Sequence, residues 1–217
     1  MSEVFEPVRA FERWLQDYTG APYAVAVYRC SSALEIMCRA LGVKNVTIPA
    51  DNYWGVAGAI RRAGGNVLCE HFTWRGAYRL NPYPIWDCAR RLHAGMYGRT
   101  EHRGEFVCLS FHRGKILGYT EGGAILTDNE AAADWLRAAR DDGRPDGAVA
   151  KYHKFGQLGH AAYMIPEVAS GLLQKAQYLP EYNEDLPNDP KWVDLSKTDW
   201  NGLSWKIPNA SEYTGHV

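Results

Sequence analysis

Lys115 sits in FVCLSFHRGKILGYTEGGAILTD (106–128), between Gly114 and Gly118 and between two apolar runs that read as buried strands. A primary amine delivered there is available to a closed site. An exposed lysine keeps a pKa of about 10.4 and is a poor nucleophile, whereas apolar or cationic surroundings favour its neutral form. His112 and Arg113 stand close to it in sequence. Other apolar runs end in polar groups at Arg29-Cys30-Ser31-Ser32, at Asp51-Asn52-Tyr53-Trp54 and at Asp87, and the run before the lysine ends in Ser110-Phe111-His112. In an α/β sheet, ligands collect at the carboxyl ends of strands, where helix N-termini offer N–H groups to anions. An amine, a strand-end carboxylate, an aromatic ring and a helix-opening serine pair are the groups that pyridoxal 5'-phosphate needs. The amine suits its aldehyde, the carboxylate its pyridine nitrogen, the aromatic face its ring, and the hydroxyl and N–H donors its phosphate.

Each residue also has a plainer reading. A lysine between strands is commonly a solvated turn residue. Asp87 before Cys-Ala-Arg has the form of a helix N-cap, and Ser31 and Ser32 suit the same role. Tyr53 serves equally as core packing, with Trp54 its rival for a stacking role. Arg90 and Arg91 read either as a solvated face or as contacts to a carboxylate. His112 is as readily structural as functional. The order in which Ser31, Tyr53, Asp87, Ser110 and Lys115 recur along one chain favours the shared site.

The elements that must position these groups alternate between strand-like and helix-like from Phe5 to about Gln177, which predicts α/β layering with a mostly parallel sheet flanked by helices. Phe11, Trp14, Leu15 and Tyr18 recur at helical spacing before Gly20. Strands are expected at 23–28, 45–49, 66–70 and 84–86. Helices are expected at 31–41, 52–63 and 129–140. After Tyr178 the chain turns rich in Pro, Asn and Asp, with tryptophans at 192, 200 and 205. It reads as a domain over 1–178 followed by an extended, Trp-bearing arm over 179–217 that packs on a surface.

With 217 residues, the chain suffices for one sizeable core. Lys plus Arg number 24 against 25 Asp plus Glu, so no basic stripe argues for duplex DNA binding, although a nucleic acid base remains conceivable as a modified substrate. The opening Met-Ser-Glu-Val-Phe-Glu has no basic-then-apolar leader, and no apolar run reaches about eighteen residues, so no membrane association is expected. Cysteines at 30, 38, 69, 88 and 108 are odd in number and form no CxxC pair. They read as buried thiols in the reducing cytoplasm rather than as a disulfide framework or a metal site.

SFHRGKILGYTEGGAILTDN is similar to the Ser-Phe-His, two residues, Lys, Gly-Glu-Gly-Gly signature of the fold-type I pyridoxal-phosphate enzymes, specifically the sugar aminotransferases of the DegT/DnrJ type. TIPADNYWGVAGAI, IWDCARRLHAGMYGR and AVAVYRCSSALEIMCRALG resemble further segments of that family, in family order over roughly residues 5–177. The resemblance implies the fold-type I large domain and a Schiff-base role for Lys115. It pairs Asp87 with the pyridine nitrogen, stacks Tyr53 on the ring and sets Cys30 and Ser31 at the phosphate. Ser110 and His112 belong to the lysine signature, and Arg90 stands where the family has Gln beside the phenolic oxygen. A homodimer is implied too, because such sites are usually completed across a dimer interface.

Departures from the family pattern are equally specific. The stretch NVLCEHFTWRGAYRLNPYPIWD is short, and the small C-terminal domain is replaced by the arm. Ala161 and Tyr163 stand where the family has Asn and Arg, the latter a phosphate contact drawn from the neighbouring subunit. The expected activity is amino-group transfer on an amino sugar, an amino acid or a nucleotide-linked substrate. A decarboxylase or lyase acting on a bulky substrate is the alternative, since a less covered cleft admits one. A non-catalytic binding protein is a third reading, against which the intact Lys115 counts.

Overall fold

Apolar residues at helical spacing make α1 (Glu6–Thr19) bury Phe11 and Leu15. Full burial of each such side chain contributes about 1.5–3 kcal/mol. The helix stops at Gly20, whose φ of 75° gives a left-handed cap with its N–H on the Gln16 carbonyl. The computed structural model describes residues 3–98, 102–145, 156–188 and 192–204. The elements that follow are β1 (Tyr23–Val27), α2 (Cys30–Ala40), β2 (Asn45–Pro49), α3 (Trp54–Arg62), β3 (Asn66–Glu70), β4 (Tyr78–Arg79), β5 (Ile85–Asp87), β6 (Phe106–Ser110), β7 (Gly123–Thr127), α4 (Glu130–Ala139) and α5 (Pro166–Ala176).

A five-stranded sheet runs in the order β1-β7-β6-β5-β4. The parallel pair β2-β3 adjoins it at Asn81, whose backbone exchanges hydrogen bonds of 2.9 and 3.2 Å with Thr47. The α/β layering is as expected, but the mostly parallel sheet is corrected to a mixed one. β5 and β6 are parallel, whereas β7 runs antiparallel to both β1 and β6, and β4 antiparallel to β5. The connections explain the difference: 111–122 and 80–84 return without a helix, and a parallel neighbour needs a longer crossover.

Both faces of the sheet are covered. Val25, Val27, Cys108 and Ile125 pack against Leu34, Met37, Ile60 and Leu136 of α2, α3 and α4. Ala24, Val107, Leu109 and Leu126, on the opposite face, pack against Phe11 and Leu15 of α1 and Leu172 of α5. Burial on both faces is why these strands read as unbroken apolar runs. A buried charge pair ties the layers together. Glu12 accepts the Ala26 N–H at 2.8 Å and a hydrogen bond from Arg140, which also donates to the Ala26 carbonyl at 2.5 Å.

Beyond Tyr178 several described residues fasten the segment to the rest of the chain. Arg91 grips Asp185 through two nitrogens at 3.0 and 2.8 Å, and Arg75 meets Glu184 at 2.5 Å. Asp194 bridges Asp51, Leu195 is fully buried, and Trp200 donates its indole N–H to the Leu195 carbonyl at 3.0 Å. Trp205 lies outside the described residues. Among those described, no helix is long and apolar enough to cross a membrane, and no group of His, Cys, Asp and Glu could hold a metal ion.

Candidate active site

Strand ends and helix starts converge on one cavity of about 520 Å³, within the ordinary range for small-molecule sites. β5 delivers Asp87, β6 delivers Ser110, and the loop after β6 delivers His112 and Lys115. Cys30 and Ser31 open α2, Tyr53 precedes α3, and Arg90 follows β5. These eight residues therefore line the same space, whereas Ser32, Trp54 and Arg91, also weighed from the sequence, do not.

The glycine pair has a steric reason. A Cβ on Gly123 would lie 2.5 Å from the Arg29 carbonyl carbon and the Cys30 nitrogen, so only glycine lets the start of β7 cross the start of α2 this closely. Gly122, at φ 130°, occupies a region closed to most side chains. The Lys115 loop is tightly folded. Lys115 N–H bonds the His112 carbonyl at 2.8 Å, Tyr119 N–H bonds the Phe111 carbonyl at 2.8 Å, and a Cβ on Gly118 would meet the Arg113 oxygen at 2.4 Å. From α5, Lys175 donates to the Gly118 carbonyl at 2.5 Å. Lys115 is half-buried, while His112 and Arg113 are exposed.

Asp87 is buried. Its Oδ2 accepts from Tyr78 Oη at 2.7 Å and its Oδ1 from the Ala89 N–H at 2.9 Å, with Cys30 Sγ at 4.0 Å. Burial pushes its carboxyl above the usual range, opposed by the Tyr78 and Ala89 hydrogen bonds and by the charges of Lys115 and Arg90. No helix follows Asp87, so the N-cap alternative falls: the Ala89 contact is a local turn. Cys30 points to this carboxylate, and burial pushes its thiol well up. α2 and α3 carry no side-chain cap at Arg29 and Tyr53, so their first N–H groups face the cavity end uncapped.

Of the two arginines after Asp87, Arg91 is taken by Asp185, whereas the Arg90 guanidinium lies 4.6 Å from the Trp192 ring centre. Trp192 itself stacks on Trp74 at 5.9 Å and 19°. Arg29 and Glu121 form an ion pair of 2.6 Å at the rim. Ala161 and Tyr163 are exposed and do not line the cavity; Tyr163 packs edge-on against Phe5. Sequence reasoning assigned no role to Asn52, Trp74, Tyr78 or Trp192. Asn52 was in view within Asp51-Asn52-Tyr53-Trp54, and the arm's tryptophans were visible as misplaced aromatics, but nothing local marks Tyr78.

Solved structures of similar fold include DesV from S. venezuelae (TM-score 0.62, 18% identity, covering 80% of this chain and 57% of that one). AtS13 from Actinomadura melliaura is similar at TM-score 0.69 and 17% identity, covering 80% and 60%. NtdA from Bacillus subtilis, with bound cofactor PMP, is similar at TM-score 0.62 and 19% identity, covering 80% and 48%. The chain thus spans well under two thirds of the length of these proteins. No curated protein matches the sequence. The profile of the DegT/DnrJ/EryC1/StrS aminotransferases matches residues 2–70 and 79–185, and the chain belongs to that family.

Proposed function

We propose that the protein is a pyridoxal-phosphate-dependent aminotransferase, acting on an amino sugar, an amino acid or a nucleotide-linked substrate. The observation that carries this reading is the convergence of a half-buried lysine, a buried carboxylate and two uncapped helix N-termini on one cavity. The donor set fits the cofactor. Gly55 adds a cradle: a Cβ there would lie 2.3 Å from the Tyr53 ring and 3.1 Å from Ser31 Oγ, so its absence lets ring and hydroxyl approach the same wall. NtdA, of the same fold, holds PMP.

When bound, pyridoxal phosphate supplies an electron sink for negative charge developing at the substrate carbon. Lys115 Nζ is the amine that would hold the group through its aldehyde and, when released, would be placed to move a proton at the substrate carbon. Asp87 would accept the pyridine N–H and keep that nitrogen protonated. Tyr53 would lie against the ring, and Ser31, Ser110 and the start of α2 would donate to the phosphate. Arg90 would stand beside the phenolic oxygen, while Cys30 backs the Asp87 carboxylate and His112 lines the entrance. Residues 1–178 form the cofactor domain and 179–217 the arm. The free, mostly buried thiols accord with a reducing cytoplasm. The exposed Tyr53, Trp54 and Tyr163 suit a homodimer.

The test is direct. Protein loaded with pyridoxal phosphate and reduced with borohydride should carry the covalent tag on Lys115 by peptide mass spectrometry, and amino donors should convert the cofactor to pyridoxamine phosphate. A tag elsewhere, or none, refutes the reading. Carbon dioxide release without conversion replaces transamination by decarboxylation, and a single-chain mass in sedimentation refutes the dimer.

A further inference from the structure

Asn52, Tyr78 and Asp87 form a buried hydrogen-bonded chain whose direction is fixed from one end. Their exposures are 1%, 4% and 4%. Asn52 Oδ1 accepts the Tyr53 N–H at 2.8 Å, so its amide nitrogen must face the other way, where Nδ2 donates to Tyr78 Oη at 2.7 Å. With that lone pair occupied by a donor, the phenol turns its own proton to Asp87 Oδ2 at 2.7 Å. The Trp74 ring packs edge-on against the Tyr78 ring at 4.6 Å and is itself anchored through its indole N–H to the Asp51 carbonyl at 3.1 Å. Tyr78 comes from β4, whose register sets it opposite Asp87, and it lies in the short segment that the family profile does not match.

We propose that Tyr78 is a positioning residue: its hydroxyl, directed by Asn52, holds the Asp87 carboxylate as an acceptor aimed into the cavity. The cofactor side of this inference rests on the function proposed above. Asp87 is faced by Tyr78 from β4, Cys30 from α2, Cys108 from β6 and Lys115 from the following loop, with Cys88 and Arg90 on its own segment. Burial pushes the Tyr78 phenol well above its usual range, so it stays a neutral donor at any working pH. Burial also raises Asp87, and Tyr78 opposes that rise. Without the hydroxyl, Asp87 therefore takes up a proton at a higher pH, and a neutral acid no longer pairs with a protonated ring nitrogen.

The test begins on cofactor-free protein carrying ¹³C-labelled aspartate carboxyls, with Asp87→Asn assigning the signal. Tyr78→Phe should move the Asp87 titration midpoint upward, changing its acidity constant about tenfold, the scale of one hydrogen bond to a charged group. Asn52→Ala, which frees the phenol to turn, should move it the same way by less. Pyridoxal phosphate titrations should show Tyr78→Phe binding more weakly, the gap widening toward about tenfold as pH falls through the two Asp87 midpoints and closing as pH rises above them. In the Asp87→Asn background, Tyr78→Phe should add no further loss. An unmoved Asp87 midpoint in Tyr78→Phe overturns the proposal, as does a binding loss that is the same at every pH and additive with Asp87→Asn. If wild-type protein binds no pyridoxal phosphate while Tyr78→Phe still moves Asp87, the cofactor assignment fails and the role of Tyr78 stands.

Discussion

Lys115 and Asp87 reach the cavity from different elements, and the positive charge of the lysine lowers the burial-raised pKa of the carboxyl. Lys115→Ala removes both a nucleophile and that charge. It is expected to abolish the borohydride-fixed tag and to leave pyridoxal phosphate removable by dialysis; mass spectrometry before and after dialysis reads both. The cysteines give an independent check on packing. Burial, with Glu35 nearby, pushes the Cys38 thiol up to about 12, while Cys69 on β3 is half-buried and raised less. Because the thiolate is the reactive form, Cys69 should be alkylated first by iodoacetamide in the native protein, and faster as pH rises from 7 to 9. Cys38 should react only on unfolding, and timed peptide mass spectrometry gives the order. Early labelling of Cys38 contradicts the packing of α2 against the sheet.

The glycines around the site make different demands on the elements that carry them. Gly123→Ala drives a Cβ into the Arg29 and Cys30 backbone, and neither β7 nor α2 can yield without shifting the cavity wall. A loss of at least about 1–3 kcal/mol in denaturant unfolding is expected, with weakened cofactor binding. Gly114, next to Lys115, has nothing within 4 Å and no positive φ, so Gly114→Ala should stay within about 0.5 kcal/mol of wild type and keep its cofactor affinity. Reversed outcomes would put the strain in the lysine loop instead of at the crossing. Both glycines were visible in the sequence, but only the fold separates them. β2 and β3 were legible to the residue because turn-forming residues bound short apolar runs, and α4, expected over 129–140, to within its two caps, Asn129 accepting the Ala132 N–H at 3.0 Å. Strand direction was not legible, since pairing is decided between distant segments. β4, at two residues, carries no periodicity at all, which hid Tyr78.

At the scale of the molecule, the segment after Tyr178 supplies part of the cavity wall from within the same chain. It is fastened on both sides of Trp192: Glu184 and Asp185 pair with Arg75 and Arg91, and Leu195 is buried beyond. Composition marked this stretch as an arm, but its seat depends on side chains more than a hundred positions away in sequence, as the Arg75 to Asp185 carbonyl contact shows. Trp192→Ala removes the stack on Trp74 and the face beneath Arg90, together worth about 1–2 kcal/mol. Since the anchors on either side persist, the loss should remain local: faster amide exchange around 181–195 with little change in the exchange of β1, β6 and β7. Pyridoxal phosphate affinity should change by less than about threefold, because the proposed amine, carboxylate and phosphate contacts lie on other elements. Quenching of tryptophan fluorescence by the bound cofactor should fall in Trp192→Phe, which deletes one of the two indoles that line the cavity among the described residues. Quenching identical to wild type would place Trp192 away from the cofactor and detach the arm from the site.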